Sequence, residues 1–128
     1  MTQRLDGDPP TPWERQFGYC RVIRAGEFVF VGGTTSATED GVVIGDSPYE
    51  QTVEILDRLE HELARVGAKL ADVIQNRCYV TDISRADEVG RAHGERFAEI
   101  RPAMTMVEVS ALLDPRMLVE IETVARLG

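Results

Sequence analysis

Lysine is almost missing from this sequence: Lys69 is the only one, and the arginines are scattered rather than clustered. The formal net charge is −8. Binding to a phosphate backbone or an anionic lipid surface needs a clustered basic surface. Nonspecific nucleic-acid and membrane-surface partners are therefore not expected, although a local arginine pocket can still take a small anion. Cysteine is scarce too. Cys20 and Cys78 are far apart and in no C-x-x-C spacing, which suits a reducing compartment with each thiol acting as a small hydrophobe. No apolar run resembles a signal peptide or approaches membrane-spanning length, so a cytoplasmic location is expected. The two histidines, His61 and His93, have no metal-ligand spacing. Neither a metal nor a cofactor is expected.

What is present reads as an ordinary globular chain, with 43% hydrophobic and 28% charged residues. Its 128 residues suit one domain. The first residues hold Pro9, Pro10 and Pro12 and little to bury. Residues 1–16 are therefore expected as a flexible or extended arm, and 17–128 as a single domain.

Tyr19 to Arg24 and Phe28 to Thr34 are β-rich runs joined by Ala25-Gly26-Glu27, a hairpin signal. Phe28-Val29-Phe30-Val31 is apolar at every position, which predicts a strand covered on both faces. Gly32-Gly33 follows, where backbone without Cβ atoms can bend or admit a ligand. Thr38 to Gly41 reads as a turn before a short strand at Val42 to Ile44. Ser47, Pro48 and Glu50 open the first long helix with a capping box. Val53, Leu56, Leu59, Leu63 and Val66 then form one apolar stripe, and Gly67 is the stop. Val73 to Thr81 reads as a strand. A second helix is expected from near Ser84 to Ile100, closed by Arg101-Pro102. Ala103 to Val109 and Met117 to Ala125 are the last strands. The order β-β-(β)-α-β-α-β-β predicts an α+β layer, two helices on one face of a mixed sheet.

Two helices cannot cover both sides of that sheet. By strand parity, Val119, Ile121 and Thr123 are expected to meet the helices. The opposite set, Met104, Met106, Leu118, Glu108, Glu120 and Glu122, is either a solvated face or one covered by another subunit with carboxylates lining a cleft.

Arg101 to Val109 (RPAMTMVEV) followed by Leu118 to Glu122 (LVEIE) resembles the "PARSxVEV…VEIE" pattern of the Rid (RidA/YjgF) superfamily. Gly18-Tyr19, Phe30 to Gly33, Glu50-Gln51-Thr52, Gly67 to Val73 and Tyr79 to Asp82 resemble its other landmarks, so the likeness runs from about Tyr19 to Ala125. It implies a chorismate-mutase-like fold, a homotrimer with sheets facing inward, and small-molecule clefts between subunits. In active members an arginine of the "PAR" motif grips the carboxylate of a 2-imino acid. Water then attacks the imine carbon, and ammonia leaves. That position is Met104 here, which has no donor, so the standard 2-imino-acid deaminase activity is not expected. The resemblance implies catalytic roles for Tyr19 and Glu120 and ligand contacts at Gly33, Thr34, Met104 and Thr105. Arg21 shares the strand parity of Tyr19 and is a further cleft candidate, although it and Arg101 are expected chiefly in surface ion pairs. His93 stands where the family often has an aromatic residue, and is expected to be packed or solvated. Hydrolysis of an imine, enamine or related C–N bond is the first functional expectation. A non-catalytic ligand-binding or regulatory protein is the alternative, and an endoribonuclease the third.

Overall fold

The computed structural model describes all residues, 1–128. Six strands form one sheet: β1 (Thr2–Leu5), β2 (Val22–Ala25), β3 (Phe28–Thr34), β4 (Val73–Val80), β5 (Ala103–Glu108) and β6 (Val119–Arg126). Their spatial order is β1-β2-β3-β6-β4-β5, with only the β4–β5 pair parallel. Three helices accompany them: the short α1 (Trp13–Phe17), then α2 (Pro48–Arg65) and α3 (Ala86–Phe97). The expected α+β layer with two long helices is present.

The boundaries of α2 follow from capping chemistry. Ser47 Oγ accepts the Glu50 amide at 3.1 Å, Pro48 occupies the first turn, and Gly67 turns the chain out at φ 82°. Half of the capping box differs, because Glu50 takes the Ser47 hydroxyl rather than the Ser47 amide. Ile55, Leu56, Leu59, Leu63 and Val66 are buried against the inner sheet face, which supplies Val22, Val29, Val31, Cys78, Val80, Val119, Ile121 and Ala125. Such burial is the main stabilising term.

Three expectations need correction. Residues 1–16 are not a free arm. Thr2–Leu5 pairs antiparallel with β2, and the buried Glu14 ties the following loop down. The proline run is kept as loop by hydrogen bonds from distant side chains: Arg65 donates to the Asp6 carbonyl and Glu62 accepts from the Asp8 amide. Val42–Ile44 is not a sheet strand, since it makes only the isolated bridge Ala37↔Val43. Its loop is held instead by Arg58, whose guanidinium donates to the carbonyls of Thr35, Ser36 and Ala37 while pairing with Glu54 at 2.9 Å. Finally, α3 starts later than Ser84. Asp82 caps a preceding 3₁₀ turn (Ile83–Arg85) through the Ser84 amide, and α3 stops at Phe97. Arg101 then adopts φ 54°, a left-handed conformation that costs a bulky residue roughly 1 kcal/mol.

Beneath the sheet lies a buried polar chain. The Thr123 hydroxyl donates to Asn76 Oδ1 at 2.6 Å, and Asn76 Nδ2 lies 3.0 Å from His93 Nε2. The His93 ring stacks on Phe97 at 4.6 Å. With an amide donor facing Nε2, the imidazole is neutral, and burial pushes its pKa down. The folded state thus binds fewer protons than the unfolded one below the ordinary histidine value. Stability from this group is complete above about pH 6.5 and declines as pH falls toward the lower folded value. Urea unfolding from about pH 7.5 to about 5.5 should show that decline, and His93→Gln should flatten it. Equal slopes for the two proteins would remove His93 as the cause.

Candidate functional site

The site begins with a bulge. Val31 pairs with Thr123 but Thr34 pairs with Ile121, so β3 carries one extra residue at Gly32–Gly33. The bulge brings the Gly33 backbone over Glu120. A Cβ built on Gly33 would lie 2.5 Å from Glu120 Oε2 and 2.9 Å from its carboxyl carbon. Gly33 is therefore the position where a missing side chain makes room for the carboxylate. Thr34, named with it from sequence, points to the helix side. Its hydroxyl donates to the Gly32 carbonyl at 3.0 Å and so holds the bulge.

Tyr19 arrives from the other direction. Gly18, at φ 79°, ends α1, and the amides of Gly18 and Tyr19 both donate to the Glu14 carbonyl at 3.0 and 2.9 Å. The chain then enters the sheet edge, where the Arg21 amide donates to Leu5 and its carbonyl accepts from Gly32. The Arg21 guanidinium lies 5.6 Å from the centre of the Tyr19 ring. Nη1 donates to the Gly33 carbonyl, and Nη2 stands 3.6 Å from Glu14 Oε2. This ion pair is buried rather than superficial, which corrects the expectation for Arg21: side-chain exposure is 7% for Arg21 and 0% for Glu14. Arg101, by contrast, has no ion pair.

Tyr19, Arg21, Gly33 and Glu120 line one cavity of about 20 Å³, closed by Thr11, Trp13, Thr35 and Met117. That is room for about one water molecule. Burial pushes the Glu120 carboxyl above the usual carboxylate range; Arg21 opposes the rise and Glu122 adds to it. Glu122 itself accepts from the Tyr79 hydroxyl and lies 3.6 Å from Arg77. A second polar cavity, about 40 Å³, lies behind Arg21, with Thr34, Thr35, Arg58 and Glu62 among its walls.

Met104 and Thr105 are not brought to this cavity. Strand β5 is separated from β6 by β4, so it stands ~10 Å to the side at the ordinary strand spacing. The residue level with Glu120 is Val107, because Tyr79 pairs with both. The register also corrects the parity expectation for β5. Met104 pairs with Asn76 and Met106 with Cys78, both buried on the helix side, whereas Thr105 and Val107 share the open face with Arg77 and Tyr79. Glu108 is likewise on the helix side, accepting the Ile83 amide at 3.0 Å. Strand alternation fixes which residues go together but not which set faces inward, and on an edge strand neither set is apolar enough to decide. Sequence reasoning also missed Glu14, Trp13 and Thr35, since all three sit in segments read as arm or loop.

The open sheet face carries Phe28 and Phe30, 38% and 46% exposed. With Arg77, Glu122 and Val124 they border a shallow hollow of about 470 Å³. His93 is confined to the buried chain described above, His61 pairs with Asp8 at 3.1 Å on the surface, and burial raises the Cys78 thiol to about 12. No three His, Cys, Asp or Glu side chains come together as a metal-binding group, and no helix is long and apolar enough to cross a membrane.

Comparison with known proteins gives one consistent answer. The family described as Endoribonuclease L-PSP matches residues 13–127. The 3-aminoacrylate deaminase RutC of Acinetobacter baylyi is 33% identical over 109 residues, 84% of this chain and 85% of that protein. The crystal structure of Rv2704 from Mycobacterium tuberculosis, a member of the YjgF/YER057c/UK114 family, is 42% identical. It superposes with a TM-score of 0.89 over 99% of this chain and 100% of that one. At 17% identity the yeast YEO7 structure shares the fold, with a TM-score of 0.89 over the whole of both chains. With the fold, the glycine bulge and the glutamate strand all in place, this chain belongs to the YjgF (Rid, L-PSP) family.

Proposed function

We propose that three copies of the chain close around their open sheet faces, and that each cleft so formed hydrolyses an imine, enamine or related C–N bond of a small metabolite. The observation that carries this reading is the division of the site. Tyr19, Gly33 and Glu120 meet in one cavity, while Met104 and Thr105 stand at the far sheet edge, where only a neighbouring subunit can present them to such a cavity. The exposed Phe28 and Phe30 support it, because apolar side chains on an otherwise uncovered face mark an interaction surface. The name of the Acinetobacter relative, a deaminase, points to the same reaction class.

The chemistry follows from the residues. Glu120 takes a proton from a water molecule as the oxygen attacks the carbon of the protonated imine, giving a neutral carbinolamine. It returns that proton to nitrogen, the carbinolamine hydroxyl gives its own proton to the Glu120 carboxylate as the C–N bond breaks, and a carbonyl compound and ammonia leave. A carboxyl whose pKa is raised by burial is a stronger base than a solvated one, and suits both transfers. The Tyr19 hydroxyl orients the water or the ligand. Gly33 lets the ligand approach the backbone, Thr34 keeps the bulge in shape, and the edge strand that carries Met104 and Thr105 forms the opposite wall. No cofactor enters the scheme. The RNA-cleaving reading carried by the family description has a net charge of −8 against it. Thermal shifts with metabolites but no ammonia release would favour a non-catalytic ligand-binding protein instead.

Sedimentation should give three copies per particle, and Phe30→Glu should weaken assembly at least about tenfold, because a charge is buried without a partner. A wild-type monomer at high concentration would end the proposal. Ammonia release from imines should lose about two orders of magnitude in Glu120→Gln. In wild type, kcat/KM should fall with decreasing pH at values above the ordinary carboxylate range, since the base must be ionised. Gly33→Ala should act similarly by pushing the Glu120 carboxylate aside. Met104→Arg supplies a bidentate clamp, and should raise hydrolysis of a 2-imino acid at least about tenfold. A folded, trimeric but unimproved Met104→Arg would show that the frame has diverged beyond the clamp.

A further inference from the structure

Arg21 is the only cation lining the Glu120 cavity, and both terminal nitrogens of its guanidinium are engaged. One holds the Gly33 carbonyl, and the other faces Glu14. The Glu14 carboxylate is itself saturated. Its Oε1 accepts the Gly7 amide at 2.6 Å, and its Oε2 accepts the Thr11 amide at 2.6 Å and the Thr11 hydroxyl at 3.1 Å. Burial opposes ionisation of Glu14, but the Gly7 and Thr11 amides and the charge of Arg21 outweigh it and hold the pKa below the ordinary value. A fully buried carboxylate thus neutralises, from outside the cavity, an arginine that lines it.

We infer that Glu14 is a built-in carboxylate that occupies Arg21, so that the cleft takes neutral or protonated, carboxylate-free amines, imines or amides in preference to amino-acid-like anions. This inference rests on the cleft reading proposed above and names its substrate class. An incoming carboxylate would have to expel Glu14, leaving the Gly7 and Thr11 donors buried and unpaired. Otherwise it would lie beside Glu120 with no free cation of the same chain, because Arg77 is already with Glu122, and Met104 offers no donor. A protonated nitrogen meets the opposite situation: the Glu120 carboxylate and a Tyr19 ring that is 39% exposed. Glu14 lies on α1, outside the sheet, and reaches the cleft through the charge of Arg21 and through Thr11, which its carboxylate holds in the cavity wall.

The test compares three probes of similar size, 2-oxobutyrate, butanamide and 2-butylamine, by calorimetry on the purified protein. Wild type should bind the amide or the amine at least about tenfold more tightly than 2-oxobutyrate. Glu14→Gln, which keeps shape and removes the charge, should tighten 2-oxobutyrate at least about tenfold and weaken the amine. Adding Arg21→Met to that variant should abolish the gain, which a purely structural role for Glu14 would not produce. The wild-type ranking stands as a test even where the variants fail to fold. Wild-type binding of 2-oxobutyrate as tight as that of the other probes overturns the inference while leaving the cleft reading intact. Failure of every probe with both wild type and Met104→Arg overturns the cleft reading, and this inference with it.

Discussion

One chain has apolar helix surface enough for one face of a six-stranded sheet, and most of the structure follows from that shortage. α2 and α3 cover the inner face, where Val29, Val31, Val119 and Ile121 are buried almost completely. The other face is left with Phe28, Phe30, Val107 and Val124 among Arg77, Tyr79, Glu120 and Glu122. Aromatic side chains on a strand pair are ordinary in a core and costly in water. The strand order, with β4 between β6 and β5, keeps Glu120 apart from Met104 and Thr105 within one chain.

Within the group around Glu120, positions are set by close approach and by buried charge. The extra residue in β3 puts backbone where a side chain would normally stand, and the carboxylate fills the space. Glu14 then organises the segment in front of it. A single carboxylate collects two amides, a hydroxyl and a guanidinium, and so converts a proline-rich stretch into an ordered wall of the cavity. Charged hydrogen bonds of this kind are stronger than neutral ones, and removing either partner leaves the other buried and unpaired. The N-terminal segment, the cavity and the electrostatics of Glu120 are therefore coupled through one ion pair.

Membership of the YjgF family together with a methionine at the "PAR" position separates what the fold supplies from what the site supplies. The fold provides the strand ends, the bulge and the glutamate. The choice of ligand depends on which charged groups remain free, and here the cations near Glu120 are already matched to carboxylates of the same chain.

Local chemistry in the sequence was sufficient for α2, whose cap, stripe and glycine stop all lie between Ser47 and Gly67, and for the existence of β3, β4 and β6, although β3, apolar at every position from Phe28 to Val31, is covered on one face only. The glycine pair and the alternating glutamate strand are local facts too, but it was the family resemblance that singled out Gly33 and Glu120 among them. Tertiary structure alone decided the rest. Residues 1–16 acquire order from Glu62, Arg65 and the buried Arg21, partners up to 59 positions away that no local pattern contains. The facing of β5 was set by its parallel register with β4, since an edge strand with Met104 on one side and Val107 on the other has no apolar bias to declare. Arg21 had the parity to enter the cleft, but whether its charge stands free there depended on Glu14 folding over it. That is a matter of which chain segments meet, and only the packed molecule brings them together.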